Sequence, residues 1–452
     1  MAKPDSAQDG GWGFVVVIAT SMCFFLCAGM TRCVGVLYSS LKGEFDSSAA
    51  MTGALASIVI ACAHFICPVG AIICRRLGSR GTMILGGSTT AACLFISAWA
   101  RTIYQMYALF MVAGFGLGLV MVSGLVAVAE RFKKYYKAAV GVASAGVGVG
   151  LVVSPLLLQL LLDTYGWRGT MLITAGITCN ICVGGALFRP LKSLKKVGEQ
   201  SERVGSYTTI PMQQLNQEQH DEPTTRRPRV KLKQQRKCPS LITSIAKSLG
   251  LDLFLSNCSF TFFCWINLLA NMPYICYIVF IFPRASAIGI SDQASSLVLS
   301  AFGIASIFGR LASGFLVNWK FSSIKVYAAA LLICCGGTLL TQLESFWSFV
   351  ISGVIMGFFT GVMQALTVVV VSKFVGKDNI GAGIGICYCI NGIGDLVGPI
   401  MTGGIFDVTG SYPAVFYFLA GLFFVAFLQM MCLPVVNKSS LPCRTNSKVV
   451  IV

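Results

Sequence analysis

Residues 295–316 read SSLVLSAFGIASIFGRLASGFL. At about 1.5 Å of helical rise per residue, this apolar run is long enough to cross a bilayer core roughly 30 Å thick. It contains one arginine, Arg310, a few residues short of a basic end near Lys320. A guanidinium inside a spanning helix costs about 2.5–3.5 kcal/mol on insertion scales. Helix packing gives no reason to carry that cost. An anion crossing a central cavity does, because a guanidinium grips a carboxylate through two parallel hydrogen bonds. The other reading is that Arg310 snorkels to the cytoplasmic headgroups, since it lies nearer that surface than the midplane.

The rest of the chain has the same character. Of its 452 residues 56% are hydrophobic and 11% charged, and the mean hydropathy is +0.78. A soluble domain is about one quarter charged, so this is an integral membrane protein. Apolar runs of about twenty residues recur roughly twelve times. Such spans are helices, because lipid offers no partner to an unpaired backbone amide. Met1–Gly11 is polar and lacks a cleavage pattern, so no cleavable signal is expected.

The net charge of +17 does not point to nucleic acid, because the basic residues sit in short loops between spans. Arg75, Arg76 and Arg80 follow the second span; Arg131, Lys133, Lys134 and Lys137 follow the fourth. Alternate loops are basic, which places both termini in the cytoplasm. The outer loops are read as carrying Arg284, Asp292, Glu344 and Asp407. Apolar periodicity vanishes from Arg189 to about Ser248, where Gln, Ser, Thr and basic residues dominate. Such a segment cannot bury enough surface to fold alone and reads as a disordered basic cytoplasmic linker. The expected organisation is therefore a six-helix half over 1–188, the linker over 189–248, a second six-helix half over 249–435 and a cytoplasmic tail over 436–452.

The halves echo one another. Gly114 and Gly118 in the fourth span answer Gly357 and Gly361 in the tenth, Phe132 answers Phe374, and Asp163 answers Asp407, at offsets close to 243 residues. A six-plus-six duplication implies parallel halves around a central site. Gly141, Gly146, Gly148 and Gly150 stripe the fifth span; Gly381, Gly383, Gly385, Gly392, Gly394 and Gly398 stripe the eleventh. Small residues let helices approach closely, either as moving contacts between halves or as static packing.

Ionisable residues at membrane depth are few: Arg32, His64, Arg310 and Asp395. By default such groups face a cavity. Two cations, a carboxylate and an imidazole suit an anionic substrate, with Arg310, Arg32 and His64 as binding candidates. Asp395 and His64 are the proton-coupling candidates. Asp395 could equally form a structural ion pair with Arg310 or cap a helix, and His64 could be a hydrogen-bonded core histidine. There is no catalytic constellation and no phosphate-cradling Gly-Lys-Ser/Thr loop, so neither an enzyme nor an ATP-driven pump is supported. The lone Cys179/Cys182 pair lacks partners for a metal site, and no cofactor is expected.

Asp9, Gly10, Gly11, Trp12 and Gly13 resemble the acidic-Gly-Gly-Trp-Gly signature that opens the first span of the monocarboxylate transporter family of the major facilitator superfamily, with Phe14 in place of a second Trp. The family's second signature is matched in residues 131–146 at Phe132, Lys134, Ala139, Gly141, Ala143, Ala145 and Gly146. It departs at Tyr135 and Tyr136, which replace two basic residues. Tyr165 to Gly169 and Gly185 to Pro190 are also family-like. The resemblance covers both halves and not the linker. It implies an all-α membrane protein of twelve transmembrane helices in the major facilitator fold, resident in the plasma membrane, that carries small monocarboxylates or related organic anions by alternating access. Proton-linked members are similar in having an Asp-x-x-x-Arg in the eighth span and a Lys in the first. Here Arg310 matches the arginine, Ser306 takes the aspartate position and Arg32 the lysine position. The anion-binding part is kept and the proton-carrying part is not, so a facilitative carrier of amino acids, thyroid hormone or creatine-like solutes is the alternative. A non-transporting receptor or scaffold would be marked by loss of the cavity charges, and they are present. The resemblance also brings in a single-span immunoglobulin-type ancillary glycoprotein as a candidate partner, beside the substrate anion and the lipid bilayer.

Overall fold

The computed structural model describes residues 10–46, 49–189, 251–318, 322–376 and 379–439. Asp9, nearly all of the linker and the end of the tail lie outside the described residues, as does the side chain of Arg32. The described chain is helical throughout: α1 (Trp12–Glu44), α2 (Ala49–Phe65), α3 (Cys67–Ser97), α4 (Ile103–Arg131), α5 (Tyr136–Thr178), α6 (Asn180–Ala186), α7 (Leu251–Ser256), α8 (Cys258–Ala287), α9 (Asp292–Asn318), α10 (Ser323–Leu339), a 3₁₀ turn (Leu340–Leu343), α11 (Phe346–Val375), α12 (Ile380–Thr409) and α13 (Tyr412–Ser439).

Among the described residues nine helical runs are long and apolar enough to cross a membrane, or ten with the bent α2–α3 pair. Two of these runs are broken at a glycine. Gly78 inside α3 has φ 74° and Gly166 inside α5 has φ 65°, a left-handed conformation that a Cβ disfavours. Both turns are exposed, the first among Arg75, Arg76 and Arg80. Counting a crossing on each side of each glycine gives the twelve expected from the sequence. The second span differs in detail. It is broken at Ile66, where Pro68 sits in the first turn of α3, since proline is tolerated there and not further in.

Helix faces sort by solvent. On α9 the side chains of Ile304, Phe308 and Phe315 are 48%, 60% and 71% exposed, whereas Ser306, Arg310 and Ser313 are 1–4% exposed. A spanning helix turns its apolar stripe to lipid and its polar stripe inward, the reverse of a soluble helix. Buried apolar side chains form two large clusters. One is drawn wholly from residues 16–188; the other is drawn mainly from residues 260–433 with a few from α1, α4 and α5.

The internal echo corresponds to one repeated contact. A Cβ on Gly114 would sit 2.7 Å from the Val59 carbonyl, and one on Gly118 would collide with the Ala63 carbonyl, so α4 lies directly on α2. In the later helices Gly357 meets the Phe302 carbonyl and Gly361 would place a Cβ 2.6 Å from the Ser306 carbonyl, so α11 lies on α9 in the same way. Each pair puts glycines four residues apart against carbonyls four residues apart, which is how small residues let helix backbones touch.

The striped glycines line the seams between early and late helices. On the α5–α9 seam, a Cβ on Gly141 would be 2.7 Å from the Arg310 carbonyl, and one on Gly314 would be 2.7 Å from the Ala138 Cα. On the second seam, a Cβ on Gly385 would be 2.9 Å from the Cys67 carbonyl and one on Gly392 would be 3.0 Å from the His64 Cβ. Lys137 Nζ donates to the Val317 carbonyl at 3.5 Å. The helices thus close on one another at the end that carries the basic loops.

Three outer-loop placements made from the sequence are corrected: Asp292 opens α9, Asp407 lies in the last turn of α12, and Arg284 lies inside α8. Proline does not end the helix at Pro283, and α8 runs on to Ala287. The Arg284 side chain is buried, donating to the Thr341 carbonyl and Gln342 Oε1 at 3.2 Å and to Glu344 Oε1 at 3.4 Å, with its guanidinium over the Phe416 ring.

Gly166→Ala is expected to cost about 1–2 kcal/mol from its left-handed backbone alone, because a methyl group there meets no atom within 4 Å. Gly176, helical and equally uncrowded, should accept alanine with no loss. Melting of the detergent-purified variants checks this: Gly166→Ala lowers Tm and Gly176→Ala does not.

Candidate functional site

A cavity of ≈ 140 Å³ lies among α1, α2, α4, α5, α8, α9, α11 and α12. Its apolar wall includes Phe24, Leu125, Val140, Leu151, Ile275 and Val368. Its polar groups include Thr31, His64, Ser144, Asn271, Tyr274, Arg310, Gln364, Tyr388 and Asn391. Helices from both clusters contribute, so the cavity lies where early and late helices meet.

Arg310 is 4% exposed and borders this cavity. Its side chain is turned inward, so the snorkelling alternative does not describe it. Nε donates to Ser306 Oγ, one helical turn back, at 3.3 Å. Among the described residues no carboxylate lies within ion-pair distance of the guanidinium, and its Nη groups make no hydrogen bond to protein. The backbone beneath it is held on two sides: a Cβ added to Gly141 of α5 would lie 2.7 Å from its carbonyl, and one added to Gly361 of α11 would lie 3.3 Å from its amide nitrogen. A charged donor fork is therefore presented to the cavity from a fixed backbone.

Asp395 is elsewhere. The ion pair with Arg310 considered from the sequence is not formed. Asp395 Oδ2 lies 2.6 Å from His64 Nδ1 and Oδ1 accepts from Asn271 Nδ2 at 2.6 Å. The carboxylate side chain is 2% exposed, the imidazole 17%. The reason is packing: Gly392, three residues before Asp395, lets α12 approach α2 until it touches the His64 Cβ. The imidazole edge also meets the Tyr388 ring, with centroids 5.5 Å apart. His64 lines the cavity whereas Asp395 sits behind it. Arg32 lies on α1 one residue beyond Thr31, which lines the cavity.

Asn271 continues the chain of hydrogen bonds, its Oδ1 accepting from Gln364 Nε2 at 3.1 Å. One turn earlier on the same two helices, Asn267 Nδ2 donates to Asn391 Oδ1 at 2.7 Å. Asn267 Oδ1 meets the Tyr327 and Thr367 hydroxyls at 3.0 and 2.9 Å. Sequence reasoning missed this ladder. Its signal was present: Asn267 and Asn271 are four apart on α8, and Asn391 and Asp395 are four apart on α12. Residues at i and i+4 share a helix face, so two such pairs can bond rung to rung. Attention to ionisable groups passed over the neutral amides, and Tyr274 and Tyr388 with them.

The signature residues are placed away from the cavity. Trp12 Nε1 donates to the Leu187 carbonyl at 2.8 Å. A Cβ on Gly13 would touch the Phe132 ring at 3.0 Å, and Phe14 meets the same ring edge-on. Gly10 and Gly11 form the turn into α1. Lys134 lies over the Tyr135 ring. Gly141 and Gly146 bring α5 against α9 and α1. The two signatures thus meet each other and join the start of α1 to the α4–α5 turn and the end of α6.

The profile described as Major Facilitator Superfamily matches residues 20–280 and 253–448. Monocarboxylate transporter 12 of Xenopus laevis is 28% identical over 423 residues, covering 90% of this chain and 85% of that protein. Monocarboxylate transporter 14 of Mus musculus is 26% identical, covering 99% and 95%. Among solved structures, the proton:xylose symporter XylE bound to 6-bromo-6-deoxy-D-glucose superposes with a TM-score of 0.67 over 93% of this chain and 95% of that one, at 14% identity. That last likeness concerns the fold alone.

A double-mutant cycle on Asn271→Ala and Asp395→Ala should return a coupling of roughly 1–3 kcal/mol, because each single change strands a buried partner. It is measured by unfolding of the purified variants. Additive losses would mean that the ladder carries no shared stability.

Proposed function

This chain belongs to the Major Facilitator Superfamily and, within it, to the monocarboxylate transporter family, and we propose that it carries small monocarboxylates or related organic anions across the plasma membrane by alternating access. It is a multi-pass membrane transporter and not an enzyme. One observation carries the substrate class: Arg310 is buried, faces a cavity shared by early and late helices, and lacks a carboxylate partner among the described residues. An uncompensated guanidinium at that depth is costly. A substrate carboxylate would lower the cost through two charge-assisted hydrogen bonds. Tyr274 and Tyr388 on the same wall would complete a site for a planar anion.

In this reading residues 1–188 and 249–435 are the two bodies that rock about the cavity. The 189–248 linker and both termini lie on the cytoplasmic side. The glycine seams at α5–α9 and at α12 against α2 and α3 are where backbones must part and re-form. Small residues suit that, since no side chain has to be unpacked. Delivery to the plasma membrane would involve the immunoglobulin-type ancillary glycoprotein that the family resemblance implies.

Transport is proposed to be facilitative, with weak or absent proton coupling. A coupled carrier needs a carboxylate beside the anion to take up a proton and neutralise the load. Ser306 stands one turn from Arg310, where that carboxylate would be, and a hydroxyl does not titrate in the working range. Asp395 and His64 remain as coupling groups, but Asp395 is behind the cavity wall with both oxygens engaged.

Uptake of radiolabelled monocarboxylates into vesicles, with and without a pH gradient, tests both statements. Arg310→Gln should weaken uptake about tenfold or more, the equivalent of a lost charge-assisted hydrogen bond of roughly 1.5–3 kcal/mol. Normal uptake by a correctly delivered Arg310→Gln would overturn the site. The parent should not alkalinise the outside medium on substrate addition, and Ser306→Asp should. Strong alkalinisation by the parent that Asp395→Asn abolishes would instead make Asp395 the proton carrier.

A further inference from the structure

The amides beside Arg310 have a fixed direction, because their chain of hydrogen bonds ends on a carboxyl group. Between His64 Nδ1 and Asp395 Oδ2, at 2.6 Å, there is one proton. Whichever atom holds it, Oδ1 is left as an acceptor only. Asn271, 6% exposed, must therefore turn its Nδ2 to Oδ1, as the 2.6 Å contact shows. Its own carbonyl then faces Gln364, which must donate through Nε2, at 3.1 Å. An amide oriented in this way has its carbonyl left over. Gln364 Oε1 makes no hydrogen bond among the described residues, and Gln364 lines the cavity that Arg310 also lines. The two residues are brought to one place by backbone packing: at Gly361, one turn before Gln364, α11 lies so close to α9 that an added Cβ would be 3.3 Å from the Arg310 amide nitrogen.

The cavity therefore offers a donor fork at Arg310 and a committed acceptor at Gln364. We infer that Gln364 is a specificity residue that reads a hydrogen-bond donor on the substrate, so that this site takes monocarboxylates bearing a hydroxyl or N–H group in preference to their deoxy and oxo counterparts. This rests on the transport reading above, in which Arg310 holds the carboxylate. One Nε2 hydrogen is held by Asn271, and where Oε1 lies Gln364 could present a donor to an oxo group only by turning its amide over, which would set its carbonyl against that of Asn271. A deoxy acid leaves Oε1 without a partner from the substrate. A site built to hydrogen-bond one substrate group rejects the analogue that lacks it.

The test is binding to the full-length purified chain in nanodiscs, using two matched series of different size. One is lactate, propionate and pyruvate; the other is phenyllactate, phenylpropionate and phenylpyruvate. In at least one series the hydroxy acid should bind roughly tenfold tighter than both counterparts. Gln364→Met, of similar length and without the carbonyl, should bring that ratio close to one. Gln364→Leu serves as a second variant. Arg310→Gln should weaken all members of a series alike. No preference in the parent, a preference for the oxo acid, or a preference that survives in both Gln364 variants would overturn the inference. Acids that bind through Arg310 without regard to the donor defeat this inference alone. If no acid of either series binds, or Arg310→Gln changes nothing, the transport reading falls with it.

Discussion

A buried guanidinium with no counter-charge beside it among the described residues is the constraint to which the rest of this structure answers. Arg310 gains one hydrogen bond, to Ser306, and otherwise faces a cavity. Holding it there requires a backbone that cannot withdraw, and glycines supply this. Gly141 and Gly361 let α5 and α11 close on the Arg310 backbone from two sides. Larger residues at either position would push a helix away and widen the cavity. The repeated contact of α4 on α2 and of α11 on α9 extends the same device through the bundle. The arginine's place is thus a consequence of small residues far along the chain, and the energetic cost of its charge is left for an anion to offset.

The opposite charge is handled differently. Asp395 is satisfied within the protein by His64 and Asn271, and its side chain is almost fully buried. Separating the two charges keeps them from cancelling. Had Asp395 paired with Arg310, the cavity would present no net attraction for a carboxylate. Its pairing with His64 across the seam between α2 and α12 gives a local bond between helices that the rocking motion would have to respect. The carboxylate also gives direction to the neutral amides, so a group that does not touch the cavity decides what the cavity wall displays.

Much of this was legible in the sequence. Residues 295–316 show a membrane span with a charge in it, and the repeated Gly114/Gly118 and Gly357/Gly361 pairs turn out to be one helix contact made twice. Arg310, His64 and Asp395 could be singled out because ionisable groups at depth are rare. Their partners could not, since pairing Asp395 with His64 depends on which helices touch across about 330 intervening residues. The ladder of Asn267, Asn271, Asn391 and Asp395 had a readable spacing and was overlooked because neutral amides are cheaper to bury than charges. From the sequence Arg284 reads as an outer-loop residue. In the structure α8 continues past Pro283, and Thr341, Gln342 and Glu344 supply the acceptors that make burial affordable.

The central claim is that negative charge, rather than shape, holds the substrate at Arg310. It is tested most directly by comparing an acid with its own primary amide, which has nearly the same outline and no charge. In binding measurements on the purified parent, the account predicts that the acid binds at least about tenfold tighter than the amide, the worth of one charge-assisted hydrogen bond. Equal affinity for the two would contradict it, since an uncompensated guanidinium cannot be indifferent to the charge of its ligand.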